Sequence, residues 1–375
     1  MEVFTNIRRM RILDSLIARH TLLVVALSSL FYFSVAQGAL LTLGGVLGGG
    51  HSEGVAVADL DGDGDVDAYI GKFNGPNEVW FNQGNGRFEN SGQRLGDTFT
   101  RGVALGDFDG DGDLDAFVAN YGQPSGIWFN DGQGHYTDSE QRLDEGAISW
   151  DVAVGDVDGD GDLDGLVANH GGGNHLWLND GHGRYTRAPV ALGDSDTWDI
   201  ALADLDGDSD LDIYEGNHGQ PNRVWFNDGK GKFSDSGQRL GDAHTWGVAL
   251  ADLDGDGDLD VYDANFSEEP NQVWFNDGHG RYTDSGQRLG KEDSEAAAAA
   301  DFDGDGDIDV FVANAAPHGH RLWLNDGHGR FRDGKLDLGK RDGKDVAVAD
   351  LDADGDPDLL VVNDGPNEVW INRRR

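Results

Sequence analysis

The stretch Asp252-Leu253-Asp254-Gly255-Asp256-Gly257-Asp258-Leu259-Asp260 carries a carboxylate at every odd position and glycine at the fourth and sixth. Five acidic side chains this close repel one another, so the segment is costly to fold alone, and a hard cation at its centre removes that cost. Only oxygen ligands are on offer, with neither Cys nor His in the loop, which points to Ca²⁺ in preference to Zn²⁺ or copper. Positions one, three, five and nine read as side-chain ligands and position seven as a backbone carbonyl. Gly257 supplies the positive φ that lets the chain curl around the ion.

The stretch occurs seven times, and successive starts lie 48 or 49 residues apart. The expected calcium ligands are therefore Asp59, Asp61, Asp63, Asp65 and Asp67 in the first loop and Asp107, Asp109, Asp111, Asp113 and Asp115 in the second. The third and fourth loops offer Asp156, Asp158, Asp160, Asp162 and Asp164, then Asp204, Asp206, Asp208, Asp210 and Asp212. The fifth has Asp252, Asp254, Asp256, Asp258 and Asp260, and the sixth has Asp301, Asp303, Asp305, Asp307 and Asp309. The seventh has Asp350, Asp352, Asp354, Asp356 and Asp358. A near-fixed period repeated this often means a repeat architecture. The loop is not an EF-hand: the twelfth residue, a Glu in that motif, is Ile70 in the first copy, and strand-like patterns flank it.

The chain has 375 residues, 58 of them Gly, and a formal net charge of −42. That charge argues against nucleic acid and anionic membrane surfaces as partners. Seven loops with five carboxylates each account for 35 of the 70 acidic residues, so half the acidity is site chemistry. The absence of cysteine excludes disulfides, thiol nucleophiles and Cys-ligated zinc.

Residues 1–36 differ in composition. Arg8, Arg9, Arg11 and Arg19 precede an apolar run from Thr21 to Ala36 that ends Ser34-Val35-Ala36. This reads as a signal peptide cleaved after Ala36, the alternative being an uncleaved signal anchor. Either way residues 37–375 are expected to form one extracellular, secreted domain where calcium is plentiful, with membrane contact only through an uncleaved anchor.

Each repeat reads as four short strands. Gly247-Val248-Ala249-Leu250-Ala251 runs into the acidic loop, Val261-Tyr262-Asp263-Ala264-Asn265 leaves it, and Val273-Trp274-Phe275-Asn276 follows a variable loop. The Asp277-Gly278-His279-Gly280 turn then leads to a fourth strand. Four strands per unit without helical periodicity predict an all-β fold, a seven-bladed β-propeller of four-stranded blades. The last repeat stops after its third strand, at Trp370-Ile371-Asn372. The stretch before the first loop aligns with the fourth strands, Leu40 with Phe88, Gly44 with Gly92 and Leu47 with Leu95. Residues 39–48 are therefore expected to pair with the last repeat and close the ring, leaving no open edge.

With Asp-x-Asp-Gly-Asp-Gly-x-x-Asp loops between such strands over residues 39–375, the chain resembles the FG-GAP or VCBS repeat family, best known from the propellers of integrin α-subunits. The resemblance implies seven blades, with calcium on the face carrying the first-to-second strand loops. Ser209 departs from the pattern at position six of the fourth loop, as do Ala353 and Pro357 in the seventh. All five Asp remain in both loops, so weakened binding is expected there, not loss.

Comparing the repeats with one another separates scaffold from candidate function. Trp80, Trp128, Trp177, Trp225, Trp274, Trp323 and Trp370 occur once per repeat and read as core. The residue six before each loop instead varies: Glu53, Arg101, Trp150, Trp198, Trp246, Glu295 and Lys344. Trp150, Trp198 and Trp246, with Phe73, Tyr121, His170, His218 and Phe266, are the candidate ligand-binding residues, on the face opposite calcium. Aromatic faces stack on sugar rings and attract Lys or Arg. Integrin propellers are similar in gripping a partner's basic residue on this face. The bland alternative is three tryptophans plugging the channel.

Three residues after the last loop Asp, Glu215 and Asp263 stand where the other repeats have Val or Ile. They read either as the floor of a polar pocket or as a satisfied internal network. The favoured function is a binding or adhesion module for an extracellular protein or glycan. The alternatives are a glycan-cleaving enzyme, with Glu215 and Asp263 as its catalytic acid and base, and a purely structural surface protein. Asn265-Phe266-Ser267 is a glycosylation sequon whose sugar would partly cover the aromatic patch.

Overall fold

The computed structural model describes residues 40–189 and 192–373, so the segment read as a signal peptide lies outside the described residues. Every regular element among the described residues is a β-strand. The fourth repeat sets the pattern: strands Thr197–Ala203, Asp212–Asn217, Arg223–Asn227 and Phe233–Asp235 lie side by side in chain order, all antiparallel. Its second strand is buried at every position, because a neighbouring repeat covers each face of the sheet. Large β-formers fill that strand: Ile213 and Tyr214 are fully buried.

The core is built at the junctions between repeats. One cluster joins Ala203, Leu205, Tyr214 and Val224 of the fourth repeat to Val261, Trp274 and Tyr282 of the fifth. A fourth repeat excised from its neighbours would therefore expose both faces of its central strand.

The strands form five four-stranded sheets and one seven-stranded sheet. The larger sheet unites the first two repeats. Strand Asp67–Asn82 spans the second and third positions of the first repeat and pairs with Leu95–Gly106 through Phe73–Phe99, Gly75–Thr98 and Asn77–Leu95. From the second to the sixth repeat the equivalent of Asn77–Leu95 is an isolated bridge, as in Ser125–Leu143 and Asn222–Leu240.

Strand Leu41–Leu47 pairs antiparallel with Asn367–Asn372, from Leu41–Asn372 to Leu47–Asn367, and supplies the fourth strand of the last repeat. Leu41 packs there with Trp370 and Leu359.

A second set of links crosses between sheets. The Asn at the end of each third strand sends its side-chain amide to the position-two carbonyl of the acidic loop in the repeat before its own. Asn130 reaches Leu60 at 2.9 Å, Asn179 Phe108 at 2.8 Å, Asn227 Val157 at 2.8 Å and Asn276 Leu205 at 2.8 Å. Asn325 reaches Leu253 at 2.7 Å, Asn372 Phe302 at 2.9 Å and Asn82, in the first repeat, Leu351 in the last at 2.8 Å.

Candidate functional site

Two sites stand at opposite ends of the first strands. From Trp198, near the start of Thr197–Ala203, to Asp204, where the acidic loop begins, the extended chain advances roughly 20 Å at about 3.3 Å per residue. The acidic loops and the aromatic residues therefore lie at opposite ends of the sheets.

In the first loop, backbone N–H groups of Gly62 and Gly64 donate to Asp59 at 2.8 and 3.0 Å, folding the loop around that carboxylate. Asp67 is fully buried and accepts N–H groups from Leu60 at 3.0 Å and Asn82 at 2.8 Å. One oxygen from each of Asp59, Asp61 and Asp67 lies within 4.8 Å of the others, and positions one, three and nine of the second to fifth loops repeat this. Positions three and five each accept the N–H two residues on, Asp61 from Asp63 at 3.2 Å and Asp63 from Asp65 at 2.9 Å, and Asp63 is exposed.

The site fits a hard divalent cation. Its donors are all oxygens, and Oδ1 of Asp303 and of Asp352, the position-three residues of the sixth and seventh loops, are buried without a hydrogen-bond partner. Burial pushes the position-nine carboxyls upward, Asp67 and Asp260 to about 7 and Asp212 to about 6, against the pull of their backbone N–H donors. Ser209 and Ala353 sit at φ 79° and 61°, where glycine is the ordinary occupant.

On the far face the three tryptophans pack on one another. Trp150 and Trp198 stack at 4.5 Å between centroids, and Trp246 meets Trp198 edge-on at 4.1 Å. His218 stacks on the free side of Trp198 at 3.9 Å, and Phe266 lies 4.4 Å from Trp246. Tyr121 meets Trp150 at 5.7 Å. The tryptophans are half-buried, and the Nε1 atoms of Trp150 and Trp198 are enclosed without a partner. His170 stands apart from the stack, exposed, with Nδ1 3.4 Å from Asp196.

The cation that this aromatic group attracts is supplied by the chain itself. Arg101 lies 4.6 Å from the Phe73 centroid and 4.2 Å from that of Trp150, and it bonds Glu53 at 2.7 Å. Arg101 occupies the same repeat position as the tryptophans, one repeat earlier, and that placement was the signal in the sequence. At the same position of the sixth and seventh repeats, Lys344 bonds Glu295 at 2.8 Å.

Glu215 and Asp263 do not share an opening. Both are buried, at 0% and 1% exposure, and each faces the preceding repeat. Glu215 accepts the Asn174 amide at 2.8 Å. Asp263 takes Trp274 Nε1 at 2.8 Å, Asn222 Nδ2 at 2.9 Å and the Tyr214 hydroxyl at 3.1 Å. Burial pushes both carboxyls up to about 7 despite these donors. Of the two sequence readings, the geometry matches an internal network and leaves an acid–base pair without access to substrate. Asn265 of the sequon is likewise fully buried, its side chain bonded to Thr245 at 2.9 Å and to the Pro270 carbonyl at 2.9 Å.

Repeated four-stranded sheets, acidic turns at one end and cores shared between neighbours define an all-β, propeller-like repeat protein. The FG-GAP-like repeat family matches residues 59–118, 107–167, 156–215, 210–262 and 301–361, and the chain belongs to that family. No curated protein matches it. Among solved structures it is similar to BBS1N in complex with ARL6DN, with TM-score 0.64, 12% identity and coverage of 90% of this chain and 98% of that one. It is also similar to the BP39L lectin from Burkholderia pseudomallei, with TM-score 0.60, 14% identity and coverage of 90% and 96%.

Proposed function

We propose that this chain is a secreted, calcium-stiffened binding module: seven repeats closed into a propeller ring, recognising a protein or glycan through the face remote from the acidic loops. Closure is supported by the Asn links, which lead from each repeat to the one before and from the first to the last. Calcium would sit among positions one, three and nine of each loop, supplying the positive charge that lets these carboxylates approach. Extracellular modules of this chemistry bind with dissociation constants of roughly 10⁻⁴–10⁻³ M.

The observation that carries the binding reading is the half-buried group of Trp150, Trp198, Trp246, His218 and Phe266. A scaffold of near-identical repeats needs no such asymmetry, and aromatic rings with exposed edges are common anchors for sugars and side chains. The similar structures include one solved with a protein partner and one lectin, which fits either ligand class. The test is a glycan array and a surface-protein pulldown with the wild type and the triple variant Trp150→Ala, Trp198→Ala, Trp246→Ala, both confirmed folded. Loss of capture in the variant supports the reading, and equal capture rejects it.

A further inference from the structure

Comparison of the repeats with one another locates a pocket outside the sites above. The leucine that closes each repeat, from Leu47 and Leu95 to Leu338, is followed by Gly48, Gly96, Gly193, Gly241, Gly290 or Gly339, all at φ between 57° and 78°. Between the second and third repeats that place is taken by Asp144, at φ 54°. Five residues lie between Leu143 and Ser149, where four lie between Leu192 and Thr197, so this junction also holds an insertion. A side chain kept in the left-handed region needs its surroundings to hold it there. The Asp144 side chain is fully buried, its Oδ2 takes Trp177 Nε1 at 3.1 Å, and its Oδ1 is in close contact with His175 Nδ1.

A second departure faces the first. Arg187 pairs across strands with Trp177, at the place where other repeats have Asn90, Asp138, Asp235, Asp284 and Asp333. In the second, fourth and fifth repeats that aspartate holds an arginine, as Asp138 holds Arg142 at 2.7 Å. Arg187 makes no ion pair among the described residues. Asp144, His175, Trp177, Arg142 and Arg187 line one pocket of about 490 Å³. Gly172 also lines it, at φ 101° with nothing near its missing β-carbon.

We propose that this pocket binds a small hydroxylated carboxylate, with the carboxylate on Arg187 and a hydroxyl on Nε2 of His175. The guanidinium of Arg142 is already occupied by Asp138, which leaves Arg187 as the cation facing an anion, in a planar geometry suited to a carboxylate. Donation of Nδ1–H to Asp144 leaves Nε2 as the acceptor for a hydroxyl. Glu145 also lines the pocket and disfavours more highly charged anions such as phosphate. The cavity is of ordinary ligand size, and the Trp177 ring offers a wall for the C–H face of a sugar-like molecule. The inference goes beyond the axial aromatics and stands whether or not they bind.

The test is calorimetric titration of the full chain in calcium with D-glucuronate, D-gluconate, glucose and acetate. Two variants accompany it, Asp144→Gly and Arg187→Asp, each restoring the residue that other repeats carry. The expected result is saturable binding of at least one hydroxy acid, weakened about tenfold or more in each variant, with glucose and acetate at least about tenfold weaker. No saturable binding of either acid up to roughly 10 mM overturns the proposal, as does equal affinity for glucose or acetate or in both variants. If a variant melts early, the four-ligand comparison on the wild type decides alone. Uronate-terminated oligosaccharides then separate the sources, since tighter binding than the free acid indicates the end of a glycan and equal binding a free hydroxy acid.

Discussion

The Arg101 guanidinium sits 4.2 Å from the centroid of Trp150 while bonding Glu53 at 2.7 Å, so the aromatic face carries its own cation. An incoming ligand therefore meets a preorganised stack instead of an empty aromatic cage, and side chains already ordered lose less entropy on binding.

Replacing Arg101 tests that organisation. Arg101→Gln leaves the buried Glu53 carboxylate with only its close contact to His51 and removes the cation from the rings of Phe73, Tyr121 and Trp150. The expected destabilisation is about 2–3 kcal/mol, the low end for breaking a buried pair because Arg101 is partly exposed. Urea unfolding at saturating calcium measures it, and a red-shifted tryptophan emission should accompany it.

The buried carboxyls of Glu215 and Asp263 predict a particular pH dependence. Their folded values of about 7 lie above the unfolded ones, so the native state holds protons that the unfolded chain has released. The associated stability is fully present below about pH 4 and is lost as pH rises through about 7. Glu215→Gln, unable to titrate, should flatten the decline between pH 5 and 8 in denaturant titrations at constant calcium. An unchanged slope would show that Glu215 ionises freely in the fold.

Ser209 and Ala353 offer stabilising changes. Relief of left-handed strain is worth roughly 1–2 kcal/mol, and the added freedom of glycine in the unfolded chain takes back about 0.4–1. Ser209→Gly and Ala353→Gly should each raise stability by roughly 0.5–1 kcal/mol, read as a higher melting temperature.

The sheets and loops were legible because one 48- or 49-residue unit recurs, so a reading made once applies throughout. The pairing of Leu41–Leu47 with Asn367–Asn372 followed from a missing fourth strand. An alternating run of Asp does not reveal which carboxylates the loop gathers and which it leaves exposed, as with Asp67 and Asp63. Stacking of Trp150 on Trp198 and the role of Arg101 depend on how neighbouring repeats lean together, which no single repeat encodes. The signal for Asp144 lies in the sequence too, a lone aspartate among six glycines at the same repeat position.

Leu41→Ala probes the proposed closure. Leu41 is 3% exposed and shares a core with Trp370, so the truncation should cost about 2–5 kcal/mol, like other buried leucines, although Leu41 lies more than 300 residues from Trp370 in sequence. A change below about 0.5 kcal/mol, the scale of ordinary surface substitutions, would mean that this strand is dispensable.

The central claim is that the acidic loops bind calcium and that the ring depends on it. At ten times the dissociation constant, each site contributes roughly 1.4 kcal/mol to the native state, and several such sites together approach a typical domain's whole margin. The direct measurement is thermal unfolding of the full chain in millimolar calcium and in excess chelator, at one pH and ionic strength. A fall in melting temperature of tens of degrees in chelator, restored by added calcium, is the predicted result; the same melting temperature in both conditions would contradict it.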